Sequence, residues 1–165
     1  PYLKRMQGEL VGVEIGVLKG ENMYTIFENC PNVKLIYGID PYVEHTDQNV
    51  TRPQSDMDKY LKIATDNLKP YKKRYQLIKK TSADAVADIE DESVDFVLLD
   101  GDHSYERCYE DLNLWYDRIR PGGLFSGHDF SLPGVNKALL QFRTERNIKG
   151  FFKVIPNDVW FWIKD

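Results

Sequence analysis

Leu10-Val11-Gly12-Val13-Glu14-Ile15-Gly16-Val17-Leu18-Lys19-Gly20 is an apolar, β-branched run that stops at one glycine and passes through a second into the helical pattern of Glu21–Asn29. It reads as a strand, a tight turn and a helix, the opening of a βαβ unit. A glycine in that turn tolerates positive φ and lets the backbone come close to a ligand, and the open ends of parallel strands form the crevice in which doubly wound sheets bind. Two glycines four apart are on their own only a turn, so the weight falls on the residues downstream.

Outward from this stretch the alternation continues. Residues 34–39 form a second apolar run ending at Asp40, and residues 41–52 read as a polar, irregular loop. Ser55 is the expected cap of a helix in which Met57, Tyr60, Leu61, Ala64 and Leu68 recur at spacings of three and four. A third strand is expected over 75–80 and a short helix over 83–89. Val94–Leu99 has the continuous apolar content of a central parallel strand. Residues 105–119 follow as a helix, Pro121-Gly122-Gly123 as a turn, residues 124–126 as the start of a fifth strand, and residues 135–146 as a helix. The tail, residues 151–155 and Val159–Ile163 around Pro156-Asn157-Asp158, leaves no room for a helix and reads as an antiparallel hairpin. The expected architecture is α/β, a Rossmann-like, doubly wound, mostly parallel seven-stranded sheet with a C-terminal antiparallel hairpin. Residues 1–165 are read as a single domain.

Composition narrows the function classes. With 42% hydrophobic and 29% charged residues the chain carries an ordinary globular core. Its 22 basic against 26 acidic residues give a net charge of -4, so no global positive field draws in nucleic acid or an anionic membrane surface. Cys30 and Cys108 lie far apart with no CxxC spacing, which suggests neither a zinc site nor a disulfide framework and fits a reducing, cytoplasmic setting. No run reaches the length of a membrane span and the N-terminus lacks the features of a signal peptide. The first residue is Pro1 rather than Met, so the chain is expected to be processed, trimmed or cut from something longer.

Asp40 sharpens the first motif. It ends the second run twenty residues after Gly20, where a carboxylate accepts hydrogen bonds from a ribose. The spacing is acid-x-Gly-x-x-x-Gly rather than Gly-x-Gly-x-x-Gly, so no three-glycine cradle for a pyrophosphate is present. Two further clusters, Leu98-Leu99-Asp100-Gly101-Asp102-His103-Ser104-Tyr105-Glu106 and Pro121-Gly122-Gly123-Leu124-Phe125-Ser126-Gly127-His128-Asp129-Phe130, fall at the ends of adjacent strands. Their histidines and aspartates are candidate bases and metal ligands. Taken one at a time, Asp102 is equally an N-cap, His103 a first-turn residue and His128 a packing histidine.

On these residues the chain resembles a small class I S-adenosylmethionine-dependent methyltransferase, from Val11 to Ile163. The resemblance implies that Glu14, Gly16 and Gly20 form the first cofactor motif. It makes Asp40 the ribose-binding acid, Ser82 and Ala83 the adenine-side turn, and Asp100 the acid ending the fourth strand. The LLDGDHSYE, PGG and GHDF stretches further resemble a compact group of small-molecule and sugar O-methyltransferases. In its metal-dependent members an acid after the fourth strand and two adjacent ligands after the fifth hold magnesium. Here those positions read Asp100, His128 and Asp129, which the resemblance makes candidate ligands of a divalent cation, magnesium or manganese, although the imidazole departs from the group's oxygen ligands and favours a softer ion or none.

The expected activity is methyl transfer from S-adenosylmethionine to a hydroxyl of a small-molecule or carbohydrate acceptor, with no nucleic acid or membrane as partner. His128 is the preferred base, His103 the other candidate, and Asp100 acts beside them. Residues 42–52 and 131–135 are expected to frame the opening, with Tyr42, His45 and Phe130 able to stack on a sugar or aromatic ring, and a side chain at Gly16 to occupy the ligand's space. Two rivals stand against this reading: a nucleotide-dependent oxidoreductase, and a non-catalytic cofactor- or partner-binding domain of a larger glycan-modifying protein.

Overall fold

Side chains alternate across a strand, so each central strand sends apolar groups to both faces of its sheet. In the computed structural model, which describes residues 2–165, Val13 and Ile15 of β1 (Leu10–Ile15) and Val97 and Leu99 of β6 (Val94–Leu99) enter one core. Leu10 and Phe96 enter the other. The second core is completed by α1 (Glu21–Asn29), through Met23, Ile26 and Phe27, and by α2 (Gln54–Leu68), through Met57, Ala64 and Leu68. The first is covered by α3 (Ser82–Ala85), α4 (Tyr105–Tyr116) and α5 (Pro133–Glu145), where Leu112, Trp115, Leu139 and Phe142 are fully buried. Gly12 lets the sheet close: a Cβ there would stand 2.1 Å from the Phe96 ring, which lies across β1.

β2 (Val33–Ile39), β5 (Tyr75–Ile78) and β7 (Ile119–Gly127) run parallel to β1 and β6. The tail forms the expected hairpin of β8 (Lys153–Ile155) and β9 (Val159–Ile163), with β9 antiparallel to β7. The strand order across the sheet is β5-β2-β1-β6-β7-β9-β8. Trp160 and Trp162 on β9 stack at 5.4 Å and meet Phe125 edge-on, so the reversed strand is held by aromatic burial as well as by its ladder.

Four local expectations are corrected. The loop over 41–52 contains a second hairpin, β3 (His45–Asp47) and β4 (Val50–Arg52), turned at Gln48 and Asn49, whose φ values of 48° and 62° are those of a two-residue primed turn. Ser55 lies inside the first turn of α2, whose N-cap is Pro53. Pro121-Gly122-Gly123 does not separate two elements. β7 runs through it, absorbing the extra residues as an irregularity opposite Val94 and Phe96. The helix expected to reach residue 119 ends at Tyr116, because Ile119 is already in the sheet. Among the described residues no helix is long and apolar enough to cross a membrane.

Candidate functional site

β1 pairs with β2 on one side and β6 on the other, so the chain leaves β1 in one direction and returns on the opposite flank. That switch point opens a crevice at the strands' C-terminal ends. The turns after β1, β2, β5 and β6 enclose a cavity of about 690 Å³ there. Eight carboxylates line it, Glu14, Glu21, Asp40, Asp47, Asp100, Asp102, Glu110 and Asp111, against three cationic side chains, Lys19, Arg52 and Arg107. The wall therefore favours a ligand that carries positive charge.

Glu14 is the most costly of these groups. Burial pushes its carboxyl up to about 8, although the Asn22 amide donates to Oε1 at 2.9 Å, while Oε2 is buried with no partner. A buried acceptor without a donor is destabilising unless a ligand completes it. Glu14→Gln is therefore expected to stabilise the ligand-free protein. The folded-state value lies above the ordinary 4.5, so the penalty is absent below about pH 4.5, grows as the unfolded chain ionises, and is complete above about pH 8. Melting temperatures across that range should show the gain of Glu14→Gln opening with pH, and a gain independent of pH would overturn the assignment.

Asp40 is 6% exposed and already engaged: Oδ2 accepts the Leu18 N–H at 2.9 Å and Oδ1 the Tyr42 N–H at 2.8 Å. Each carboxylate oxygen keeps a second lone pair, and Asp40 lines the cavity. Gly16 lines it too, but a Cβ there would lie 2.0 Å from the Asp100 carbonyl oxygen. The expectation that a side chain at Gly16 would occupy ligand space is corrected: it would strike the protein's own backbone. Gly20 is outside the lining. It caps α1 in the left-handed region and packs against Leu68 of α2.

Ser82 and Ala83 line the far end with Asp111, which no sequence motif singles out. The Ser82 hydroxyl donates to Asp111 and accepts from the Trp115 indole N–H at 2.7 Å. Burial raises the Asp111 carboxyl to about 6. Its one signal in the sequence is an acid in the apolar stripe Cys108, Leu112, Trp115.

The histidines divide. His103 lines the cavity; its Nδ1 lies 2.5 Å from Asp47 Oδ2 on β3, and its Nε2 faces Asp129 Oδ2 at 2.8 Å. The second approach is off the N–H line, so Nε2 is left buried without a hydrogen-bond partner. Burial alone would lower this imidazole's pKa, but the Asp47 hydrogen bond and the charges of Asp47, Asp129 and Asp100 outweigh it and raise the value. Donor atoms of Asp100, His103 and Asp129 all fall within 4.8 Å of one another. His128 takes no part in that cluster. It borders a small adjoining recess with a half-exposed ring, Nδ1 3.0 Å from Asp129, while its backbone carbonyl accepts from the Trp160 indole N–H. Asp129 itself has φ 57°, in the left-handed region that aspartate tolerates better than most residues.

Of the three rings expected to stack at the opening, His45 lines the cavity. Tyr42 is 2% exposed and braces the Leu18 carbonyl through its hydroxyl, and Phe130 packs on Phe152. The Tyr42 ring is taken by one core, and Phe130 is partly buried beside the other. Asp47 and Arg52 join the wall from within the 42–52 stretch expected at the opening, though the sequence singles out neither, since the hairpin that carries them has the composition of a loop.

A sequence model described as a methyltransferase domain matches residues 13–130. An uncharacterized protein of Acanthamoeba polyphaga mimivirus is 26% identical over 165 residues, spanning 91% of this chain and 70% of its own. Among solved structures, the O-methyltransferase NovP superposes with a TM-score of 0.67 at 18% identity, covering 96% of this chain and 72% of its own. A precorrin-6y methyltransferase from Geobacter metallireducens GS-15 gives 0.67 at 18% identity over 97% and 82%. These structural likenesses establish a common fold.

Proposed function

Because the chain belongs to the methyltransferase-domain family, in its class I, S-adenosylmethionine-dependent form, we propose that it transfers a methyl group from S-adenosylmethionine to a hydroxyl of a small-molecule or carbohydrate acceptor. The observation that carries this is the orphaned, buried Glu14 oxygen in a carboxylate-lined cavity at the switch point. When bound, the cofactor supplies an electrophilic methyl on a cationic sulfonium. Glu14 offers its free oxygen to the cofactor's ammonium, Asp40 offers its remaining lone pairs to the ribose hydroxyls, and Ser82 and Ala83 border the base. His103, its ring oriented by Asp47, holds the acceptor's hydroxyl proton. With in-line substitution needing alignment and a base, positioning by these walls accounts for most of the rate.

A second reading uses the convergence of Asp100, His103 and Asp129. Two carboxylates and an imidazole whose other nitrogen is tied to a carboxylate form a donor set that suits a divalent ion such as manganese. Held there, an ion would lower the acceptor hydroxyl's pKa and align its oxygen. Magnesium, which prefers all-oxygen surroundings, suits it less.

Calorimetry with S-adenosylhomocysteine, followed by transfer assays with and without chelator, tests both readings. Tight binding is expected in the wild type and at least about tenfold weaker binding in Asp40→Ala, since a charge-assisted pair is worth roughly 1.5–3 kcal/mol. Unchanged affinity in Asp40→Ala overturns the ribose assignment. Transfer that dies with chelator and returns with manganese selects the second reading, and transfer that survives selects the first.

A further inference from the structure

The β3–β4 hairpin presents one face to the cavity. His45 and Asp47 are two apart on β3, Arg52 is the cross-strand partner of His45, and all three line the wall, whereas Thr46 and Thr51 bond each other on the opposite face. Asp47 fixes this face relative to the reacting centre, since its two oxygens take the His103 ring nitrogen and backbone N–H.

Arg52 is the unusual member. Eight carboxylates line the same cavity, yet among the described residues Arg52 makes no salt bridge. Its one side-chain partner is His45, whose Nε2 accepts from Nη1 at 3.4 Å while Nδ1 donates to the Val43 carbonyl at 3.2 Å. That pairing holds the guanidinium through an imidazole hydrogen bond and not through a carboxylate. Of five N–H donors on the fork, the rest remain for a ligand. A planar fork is suited to bidentate capture of a carboxylate or phosphate.

We infer that Arg52, set by His45, is an acceptor-specificity site, and that the acceptor carries an anionic group, carboxylate or phosphate, on the same small scaffold as the hydroxyl that is methylated. Asp47 and Arg52 are diagonal neighbours across the β3–β4 pair, about 7–8 Å apart at the backbone, so the guanidinium stands on the same wall as the carboxylate that orients His103. This deepens the proposed function and rests on it.

The test titrates matched probes into the protein with and without S-adenosylhomocysteine: 3,4-dihydroxybenzoate against catechol, and glucose 6-phosphate against glucose. The wild type is expected to bind the charged member of at least one pair tenfold or more tightly, and which pair responds tells carboxylate from phosphate. Arg52→Gln should remove that preference with S-adenosylhomocysteine affinity and melting temperature unchanged, and Arg52→Lys should retain part of it. The inference is overturned if neither pair shows a charge preference, if no probe binds the wild type, or if Arg52→Gln weakens S-adenosylhomocysteine instead, which would give the guanidinium to the cofactor's own carboxylate. Failure of the wild type to bind S-adenosylhomocysteine would remove the parent reading, while Arg52-dependent binding of the charged probes would still register separately.

Discussion

His103→Ala should slow methyl transfer by about two to four powers of ten, the range for loss of a positioned general base, while S-adenosylhomocysteine affinity stays within about twofold. The reason is geometric. Of the two imidazoles at the adjacent strand ends, His103 lines the cavity and is oriented through Nδ1 by Asp47, leaving Nε2 without a hydrogen-bond partner. His128 is outside the cavity lining, with Nδ1 on Asp129, although its side chain is the more exposed of the two. His128→Ala is accordingly expected to change the rate only a few-fold, reversing the order expected from sequence. Asp47→Asn should fall between the two, because it keeps the shape of the clamp but loses the charge that fixes the ring's tautomer. Single-turnover transfer of a labelled methyl group measures all three. A His128→Ala enzyme slower than His103→Ala would return the base to His128. A His103→Ala protein that loses both rate and a chelator-sensitive ion would make the imidazole a ligand.

Gly16→Val is the second large effect, and it falls on the fold. Gly16 has φ 85°, where a β-branched residue is strained, and its absent Cβ would stand 2.0 Å from the Asp100 carbonyl oxygen. The neighbouring backbone cannot yield cheaply: the Gly16 N–H donates to Ile39 at 2.9 Å and the Asp100 N–H to Ile15 at 2.9 Å, lacing the tips of β2, β1 and β6. Strain of about 1–3 kcal/mol for the dihedral and a clash on top of it remove a large share of the roughly 5–15 kcal/mol that holds a domain together. A drop of about 10 °C or more in melting temperature, or insoluble protein, is expected. Gly8 is the control, having φ 87° with nothing within 4 Å of its Cβ position. Gly8→Ala carries the dihedral cost alone, so Gly16→Ala should cost clearly more. Equal costs would show that the approach to Asp100 is not what the glycine serves.

Much of the site's frame is legible in the chain. Glu14, Gly16, Asp40 and Asp100 sit at ends of apolar runs, and a parallel sheet brings such ends to one edge, so local punctuation places them around one cavity, while Ser82 and Ala83 are pointed to only by the family resemblance. The β3–β4 hairpin is not legible: its strands are three residues long, polar and mostly exposed, so neither periodicity nor burial marks them. With it go Asp47 and Arg52, and the distinction between His103 and His128.

Linear sequence suffices for the order of the main-sheet strands and the helices, the strand-end acids and the glycine turn, because each is set by local periodicity and backbone permission. Which imidazole faces the cavity, which carboxylate clamps it, which acid is left without a donor and which arginine is left without an acid are settled by tertiary packing alone. Those properties belong to pairs such as His103 with Asp47, 56 residues apart, and Ser82 with Asp111, 29 apart. Their energies depend on burial and on a few tenths of an ångström in contacts that exist only once the sheet has closed.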